Sequence, residues 1–249
     1  MNAYFQSKDK NMHIHFIIHE HFEAPGAYEA WAKTYCHTIT YSRLYQGERL
    51  PESVENIDFL IVMGGPQSPD TPLEQCPHFD TKKEQKIIKK AIDAGKVVIG
   101  VCLGAQLIGE ALGGRHERSP EREIGKFPIT FTEQARTHSL FHHFGTSLEV
   151  GHWHSDMPSL TCDARIIAYS KGCPRQIIAY SDWVFGFQCH MEFTPELVAL
   201  LIENDDISDA AHHQFIDERD VLVNHNYEEM NQKLHEFLDK LASAYQSKH

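Results

Sequence analysis

Residues 97–108 read Val-Val-Ile-Gly-Val-Cys-Leu-Gly-Ala-Gln-Leu-Ile. The first five form a short, β-branched, apolar run that fits a buried strand, and the rest take up helical spacing at once. The chain must therefore pass from strand to helix without a loop. Cys102 sits at the junction, with Gly100 two residues before it and Gly104 two after. This is the G-x-nucleophile-x-G elbow with cysteine in place of serine. A turn this tight leaves no room for side chains at the flanking positions, which is why glycine stands there. The elbow commits the chain to an α/β arrangement and places Cys102 at the C-terminal edge of a sheet, where clefts in open α/β sheets lie. The start of a helix carries partial positive charge, which favours the reactive thiolate form of a cysteine. The competing reading is a small buried hydrophobe after a core strand, the usual state of a free cysteine.

The rest of the chain repeats the strand–helix alternation. Residues 12–18, 37–41 and 59–63 read as strands, with helices over 28–35, 81–94 and 103–112. That pattern predicts a flavodoxin-like, doubly wound, largely parallel sheet with helices on both faces. Beyond residue 115 the pattern shifts to successive strands at 127–131, 148–152, 165–169, 176–180 and 184–189. The short links among the last three imply an antiparallel extension. A helix restarts at 195–203, and 207–223 and 227–245 read as C-terminal helices. The 249 residues suit one α/β domain. The expected division is a tag-like or disordered N-terminus over 1–11, a catalytic domain over 12–204 and a helical appendage over 205–249. The last helix carries Leu234, Phe237, Leu238 and Leu241 on one face, a pattern that suits a cap, a dimer surface or plain packing.

Charge excludes some functions. Lys and Arg number 23 against 35 Asp and Glu, a net −12, and a general nucleic-acid surface needs clustered positive charge. No run approaches the roughly 18 apolar residues of a membrane span. The six cysteines form no CxxC pair and read as reduced thiols of a cytoplasmic protein. The 18 histidines raise the question of metal. Close pairs include His13/His15, His19/His21, His142/His143, His152/His154 and His212/His213. Adjacent histidines do not converge and no HExxH or finger spacing occurs, so no metal and no cofactor are expected.

A cysteine hydrolase needs a base and a group to orient it. Phe187-Gln188-Cys189-His190-Met191-Glu192 offers both, because residues i and i+2 of an extended chain share a face. Glu192 can hold one imidazole nitrogen of His190 while the other meets Cys102. The bland reading is one histidine of 18 beside a surface acid. A third segment, Ile61-Val62-Met63-Gly64-Gly65-Pro66, ends a strand in backbone N–H groups uncovered by side chains. With Leu103 they could line an oxyanion hole, where one donor is worth about 2.7–4 kcal/mol. An ordinary turn is the alternative.

Together, Gly64–Pro66, Gly100–Gln106 and His190-x-Glu192 resemble, in order and approximate spacing, the class I glutamine amidotransferases. The resemblance covers about residues 12–200 and extends, through Glu123-Ile124-Gly125 and Trp153-His154-Ser155-Asp156, to the amidotransferase portion of GMP synthase. It implies a catalytic triad of Cys102, His190 and Glu192, an oxyanion hole from Gly65 and Leu103, and substrate contacts at Gly64, Gln106, Ser155 and Asp156. Cleavage of the glutamine side-chain amide through a γ-glutamyl thioester is the implied reaction. Relatives commonly carry Gln-Phe-His-Pro-Glu where this chain has Gln-Cys-His-Met-Glu, a change expected to repack the surroundings and spare the chemistry. Three functions stay open: a glutaminase that passes ammonia to a synthase partner, a free-standing hydrolase of γ-glutamyl amides or peptides, and a binding protein without turnover. The intact triad argues against the last. Oligomeric state is not addressed by these motifs.

Overall fold

The computed structural model describes residues 11–205 and 213–248. Among these, nine strands form one sheet in the order β2-β1-β3-β4-β9-β8-β7-β5-β6. The parallel half consists of β1 (His13–Ile18), β2 (Thr38–Arg43), β3 (Phe59–Val62), β4 (Val97–Val101) and β9 (Val184–Phe187). The antiparallel extension adds β5 (Glu117–Phe131), β6 (Ser147–Met157), β7 (Arg165–Tyr169) and β8 (Ile177–Ala179). β3 and β4 are buried at every position, which is why they read as unbroken apolar runs and not as alternation.

Successive residues of these strands serve opposite faces. Phe59 and Ile61 join Val97, Ile99 and Val101 in one core, whereas Leu60, Val62 and Val98 belong to a second. α2 (Thr81–Asp93) and α3 (Leu103–Ala111) cover the second core. Asp80 caps α2 by accepting the Lys83 N–H, and Gly95 closes it at φ +69°. The first core lies under α1 (Ala27–Thr34), α4 (Glu133–Thr137), α5 (Pro195–Asn204) and α7 (Glu228–Lys248). Thr194 caps α5, with Pro195 at its first turn.

The apolar face of α7 is packing surface. Leu234, Phe237, Leu238 and Leu241 are fully buried, and the Phe237 ring meets Phe141, Phe185 and Phe187 at centroid distances of 5.3, 5.4 and 5.5 Å. Each such side chain contributes roughly 1.5–3 kcal/mol on burial. Asp239 fastens the helix to α1 by accepting hydrogen bonds from Trp31 Nε1 at 2.8 Å and the Tyr35 hydroxyl at 3.0 Å.

Three local expectations change. The strand expected at 127–131 is the end of a 15-residue β5 whose register against β6 shifts between Arg118 and Glu123; its first half is polar and shows no clean alternation. The strand expected at 184–189 stops at Phe187. In the helix expected over 207–223, residues 207–212 lie outside the described residues, and of the remainder only α6 (Arg219–Asn224) is helical. Backbone bonds Ile124 N–H to Phe215 O and Asp217 N–H to Ile124 O, both 2.8 Å, draw residues 215–217 alongside β5 instead; tertiary pairing overrides helical propensity there. Residues 1–10 of the tag-like segment also lie outside the described residues. No described helix is long and apolar enough to cross a membrane.

Candidate active site

β4 delivers Cys102 into the turn with φ +49° and ψ −106°, a left-handed backbone that few non-glycine residues adopt and that costs about 1–3 kcal/mol. Its neighbours explain how the turn is held. A Cβ at Gly100 would stand 2.3 Å from the Gly104 carbonyl, and one at Gly104 would stand 2.1 Å from Val62 O. The Cys102 N–H donates to Phe187 O at 2.7 Å, binding the elbow to β9. Cys102 is 6% exposed, and that exposure opens on a cavity of about 270 Å³.

After β9 the chain carries His190 into a two-bond bridge with Gly151 of β6, at 2.8 and 3.0 Å. Gly151 is glycine because a Cβ there would meet His190 O at 2.8 Å and the Phe193 ring at 2.5 Å. The imidazole stacks on Phe193, centroids 4.3 Å apart. Its Nδ1 donates to Glu192 Oε1 at 2.7 Å, and its Nε2 has no hydrogen-bond partner. Burial alone would push the proton off this ring, but Glu192 and Cys102 outweigh it and hold His190 well above 6.5. Nε2 is thus the ring nitrogen open to exchange a proton with a ligand.

Gly64 and Gly65 follow β3. His19, just past β1, donates from Nδ1 to Gly64 O at 2.8 Å and from Nε2 to Glu84 Oε2 at 2.7 Å. Burial opposes a charge on His19, but Glu84 and the Gly64 carbonyl raise its pKa above 6.5. In a trans peptide C=O and N–H point oppositely. Clamping the Gly64 carbonyl therefore aims the Gly65 N–H away from His19. Neither the Gly65 N–H nor the Leu103 N–H, an open donor in the first turn of α3, is taken up by another described residue.

Gly65, Cys102, Gln106, Ser155 and Asp156 line the cavity, together with Glu23, Arg118 and Trp153. Gly64, Leu103, His190 and Glu192 do not line it. Gln106 donates to Gln188 Oε1 at 3.2 Å and leaves its own Oε1 unpartnered. Asp156 is paired with Arg118 at 3.2 Å, and Cys102 Sγ lies 3.8 Å from Trp153 O. Cys189 and Met191, where relatives carry other residues, are fully buried in the core.

Behind Trp153–Asp156 lies a buried polar group that sequence reasoning did not find. Glu123 accepts from Ser170 at 2.7 Å and from Gln176 Nε2 at 2.6 Å. His152 and His154 also turn toward it, His154 Nε2 at 3.3 Å. Burial opposes ionisation of Glu123, yet His154 and His152 lower its pKa below 4.5. Burial holds His152 down to about 4. The Glu123, His152 and His154 ligand-type atoms fall within 4.8 Å of one another, as do those of Glu20, Cys76 and His78. In the first group the Gln176 amide nitrogen lies 3.2 Å from both rings, so a donor already occupies the middle. Glu23, His19 and Glu84 were also missed. The available signal for His19 was positional: β1 pairs β3 in parallel, so residues just after each strand meet at the same edge.

Comparison with known proteins identifies the family of the chain. The model of the glutamine amidotransferase class-I family matches residues 29–208. The chain is 51% identical over 239 residues to the glutamine amidotransferase-like protein YfeJ of Salmonella typhimurium, covering 95% of this chain and 100% of that one. The crystal structure of SMU.1228c superposes with a TM-score of 0.91 at 45% identity, over 92% of this chain and 99% of that one. A GMP synthase of Caldanaerobacter subterraneus is 29% identical over 165 residues, 65% of this chain and 28% of the synthase. Elbow, fold and these matches agree, and the chain belongs to the class-I glutamine amidotransferases.

Proposed function

We propose that the chain is a cysteine hydrolase that cleaves the side-chain amide of glutamine and releases ammonia. One observation carries this reading. Cys102 opens on a cavity and acts on a buried imidazole whose Nδ1 is tied to Glu192 and whose Nε2 is free. Cys102 passes its thiol proton to His190 Nε2, and its sulfur attacks the amide carbon and forms a C–S bond. The carbonyl oxygen gains negative charge, which the Gly65 and Leu103 N–H groups stabilise. His190 Nε2 gives its proton to the amide nitrogen, the C–N bond breaks with its electron pair leaving on nitrogen, and ammonia departs from a γ-glutamyl thioester. Neutral His190 then removes a proton from water as that water attacks the thioester. The C–S bond breaks and glutamate leaves. Glu192 orients the ring and stabilises its charged form. Gln106 Oε1, buried without a partner, is suited to the substrate's ammonium group, with the backbone at Ser155 and Asp156 opposite.

In this reading the ammonia passes to a synthase, the activity named for the GMP synthase that this chain matches over 28% of that protein's length. A second reading, a free-standing hydrolase of γ-glutamyl amides or peptides, is favoured by the cavity wall. It continues past Cys102 to Phe22, Trp153, Leu201 and Asn204, which offers surface to a substituent on the amide nitrogen. Purified protein given glutamine and a series of γ-glutamyl peptides, with ammonia and glutamate measured, separates the two. Cys102→Ala should abolish turnover of every substrate cleaved; retained turnover overturns both readings.

A further inference from the structure

Glu23 lies in the loop between β1 and α1 and is 8% exposed. Its carboxylate takes no hydrogen bond from a described residue, and its free acceptors are left to the cavity it lines. It faces the cavity onto which Cys102 opens. Burial lifts its pKa from 4.5 to about 7, with His190 opposing and Glu192 adding to the rise. A Cβ placed on Gly64 would stand 2.4 Å from Glu23 Oε2 and 3.4 Å from His190 Cε1, so the carboxylate and that edge of the imidazole flank one point. Cε1 is bonded to Nε2, the atom assigned to protonate the departing nitrogen.

The loop is also fastened to the triad. Gly26 sits at φ +49°, and a Cβ on it would stand 2.2 Å from Glu192 O. The Ala27 N–H donates to that same oxygen at 3.1 Å. Glu23 is thus set three residues from a backbone contact with Glu192 itself. A buried acid held in register with the base, unpaired and open to the cavity, is arranged to meet a ligand group.

Resting on the amide-cleavage reading, we propose that Glu23 is the leaving-group residue of this site: its carboxylate accepts a hydrogen bond from the N–H of the amide being cleaved and so aims the nitrogen lone pair at His190 Nε2. In the planar amide that lone pair is delocalised. Attack by Cys102 localises it, and it must then point at the His190 proton. An acceptor for the N–H fixes the rotation about the C–N bond. As the nitrogen takes up the proton its N–H groups become more acidic, and the bond to Glu23 strengthens, so the contact favours the transition state over bound substrate. Glu23 takes no proton; the one that leaves with the amine comes from His190.

The test compares glutamine with the γ-methyl ester of glutamate, whose leaving oxygen has no hydrogen to donate. Wild type, Glu23→Met and Glu23→Gln are assayed on both, with thermal melting to show that each is folded. Expected is a fall in kcat/KM of Glu23→Met on glutamine of at least about tenfold, carried by kcat, with ester hydrolysis within about threefold of wild type. Glu23→Gln, which keeps an acceptor oxygen, should recover part of the loss. Should Glu23→Met not fold, the amide-to-ester ratio of Glu23→Gln alone must still fall. Equal losses on both compounds, or a loss in KM alone, as a contact to the substrate's ammonium group would produce, overturns the proposal. Wild-type protein that cleaves neither compound overturns the cleavage reading and this proposal with it, whereas the first two outcomes leave the cleavage reading standing.

Discussion

In the parallel half of the sheet, each group proposed to react stands on the segment just past the C-terminal end of a strand: Gly65 after β3, Cys102 after β4, His190 after β9. In the antiparallel half, β6 contributes a wall, Trp153–Asp156, and behind it Glu123, His152 and His154 are engaged with one another and with Gln176. Both halves bury histidine against glutamate, yet the pairs differ in what they leave free. His190 has one nitrogen tied at 2.7 Å and one unpartnered. His152 has Nε2 on Phe127 O at 3.2 Å and Nδ1 against Gln176. A free nitrogen in a closed site can exchange protons with a substrate, whereas a satisfied one can only hold shape. His190 is thus placed for proton exchange and His152 for rigidity, while His154, beside His152, also keeps its Nδ1 without a partner.

The largest effect that could break this contrast is at His190. His190→Ala should lose about a thousandfold or more in kcat/KM on whichever amide is cleaved, and Glu192→Gln distinctly less, because Glu192 orients and does not react. Steady-state kinetics check both, and near-wild-type turnover by His190→Ala would remove the distinction between the halves.

Next in size is a stability effect in the antiparallel half. Burial holds His152 at about 4, against 6.5 for an unperturbed ring. Between those values the unfolded chain binds a proton that the folded protein refuses. Stability is therefore full above pH 6.5 and falls as pH drops toward 4. The span corresponds to roughly 3 kcal/mol. His152→Asn, which keeps an acceptor for Gln176, should flatten that part of the profile in denaturant melts. His15, held at about 4 in the parallel half, keeps its own share in the variant. An unchanged slope would mean that His152 is already protonated in the fold.

The smallest expected effect sharpens the contrast within the parallel half. His19→Gln should lower kcat about tenfold with KM nearly unchanged, since misaiming an oxyanion donor costs less than the full loss of one. Wild-type kcat would show that the Gly65 N–H is aimed without the His19 clamp.

Much of the parallel half was readable along the chain. Strand, glycine, cysteine, glycine, helix occupy consecutive positions, and His190 and Glu192 are two residues apart, so local geometry brings each set together. Glu123, Gln176, His19, Glu84 and Glu23 were not readable in this way. The first four meet partners far along the chain, 22 residues apart for His154 with Gln176 and 65 for His19 with Glu84, and Glu23 comes beside His190 from a distant loop. No periodicity encodes such a meeting. Within the helix expected over 207–223, residues 213–218 depart for a related reason: β5 offers backbone partners that a helical pattern cannot anticipate.

Short-range sterics and the two backbone periods were enough to dictate the alternating fold, the elbow at Cys102 and the His190–Glu192 pair, because those constraints act between residues a few positions apart. Sheet order and the folding of α7 over the first core decided the rest. They set the walls of the cavity, buried His190, and brought the Glu23 carboxylate beside it. Proton affinity in a buried site depends on which distant groups exclude solvent and which charges they bring, and that is a property of the assembled tertiary structure.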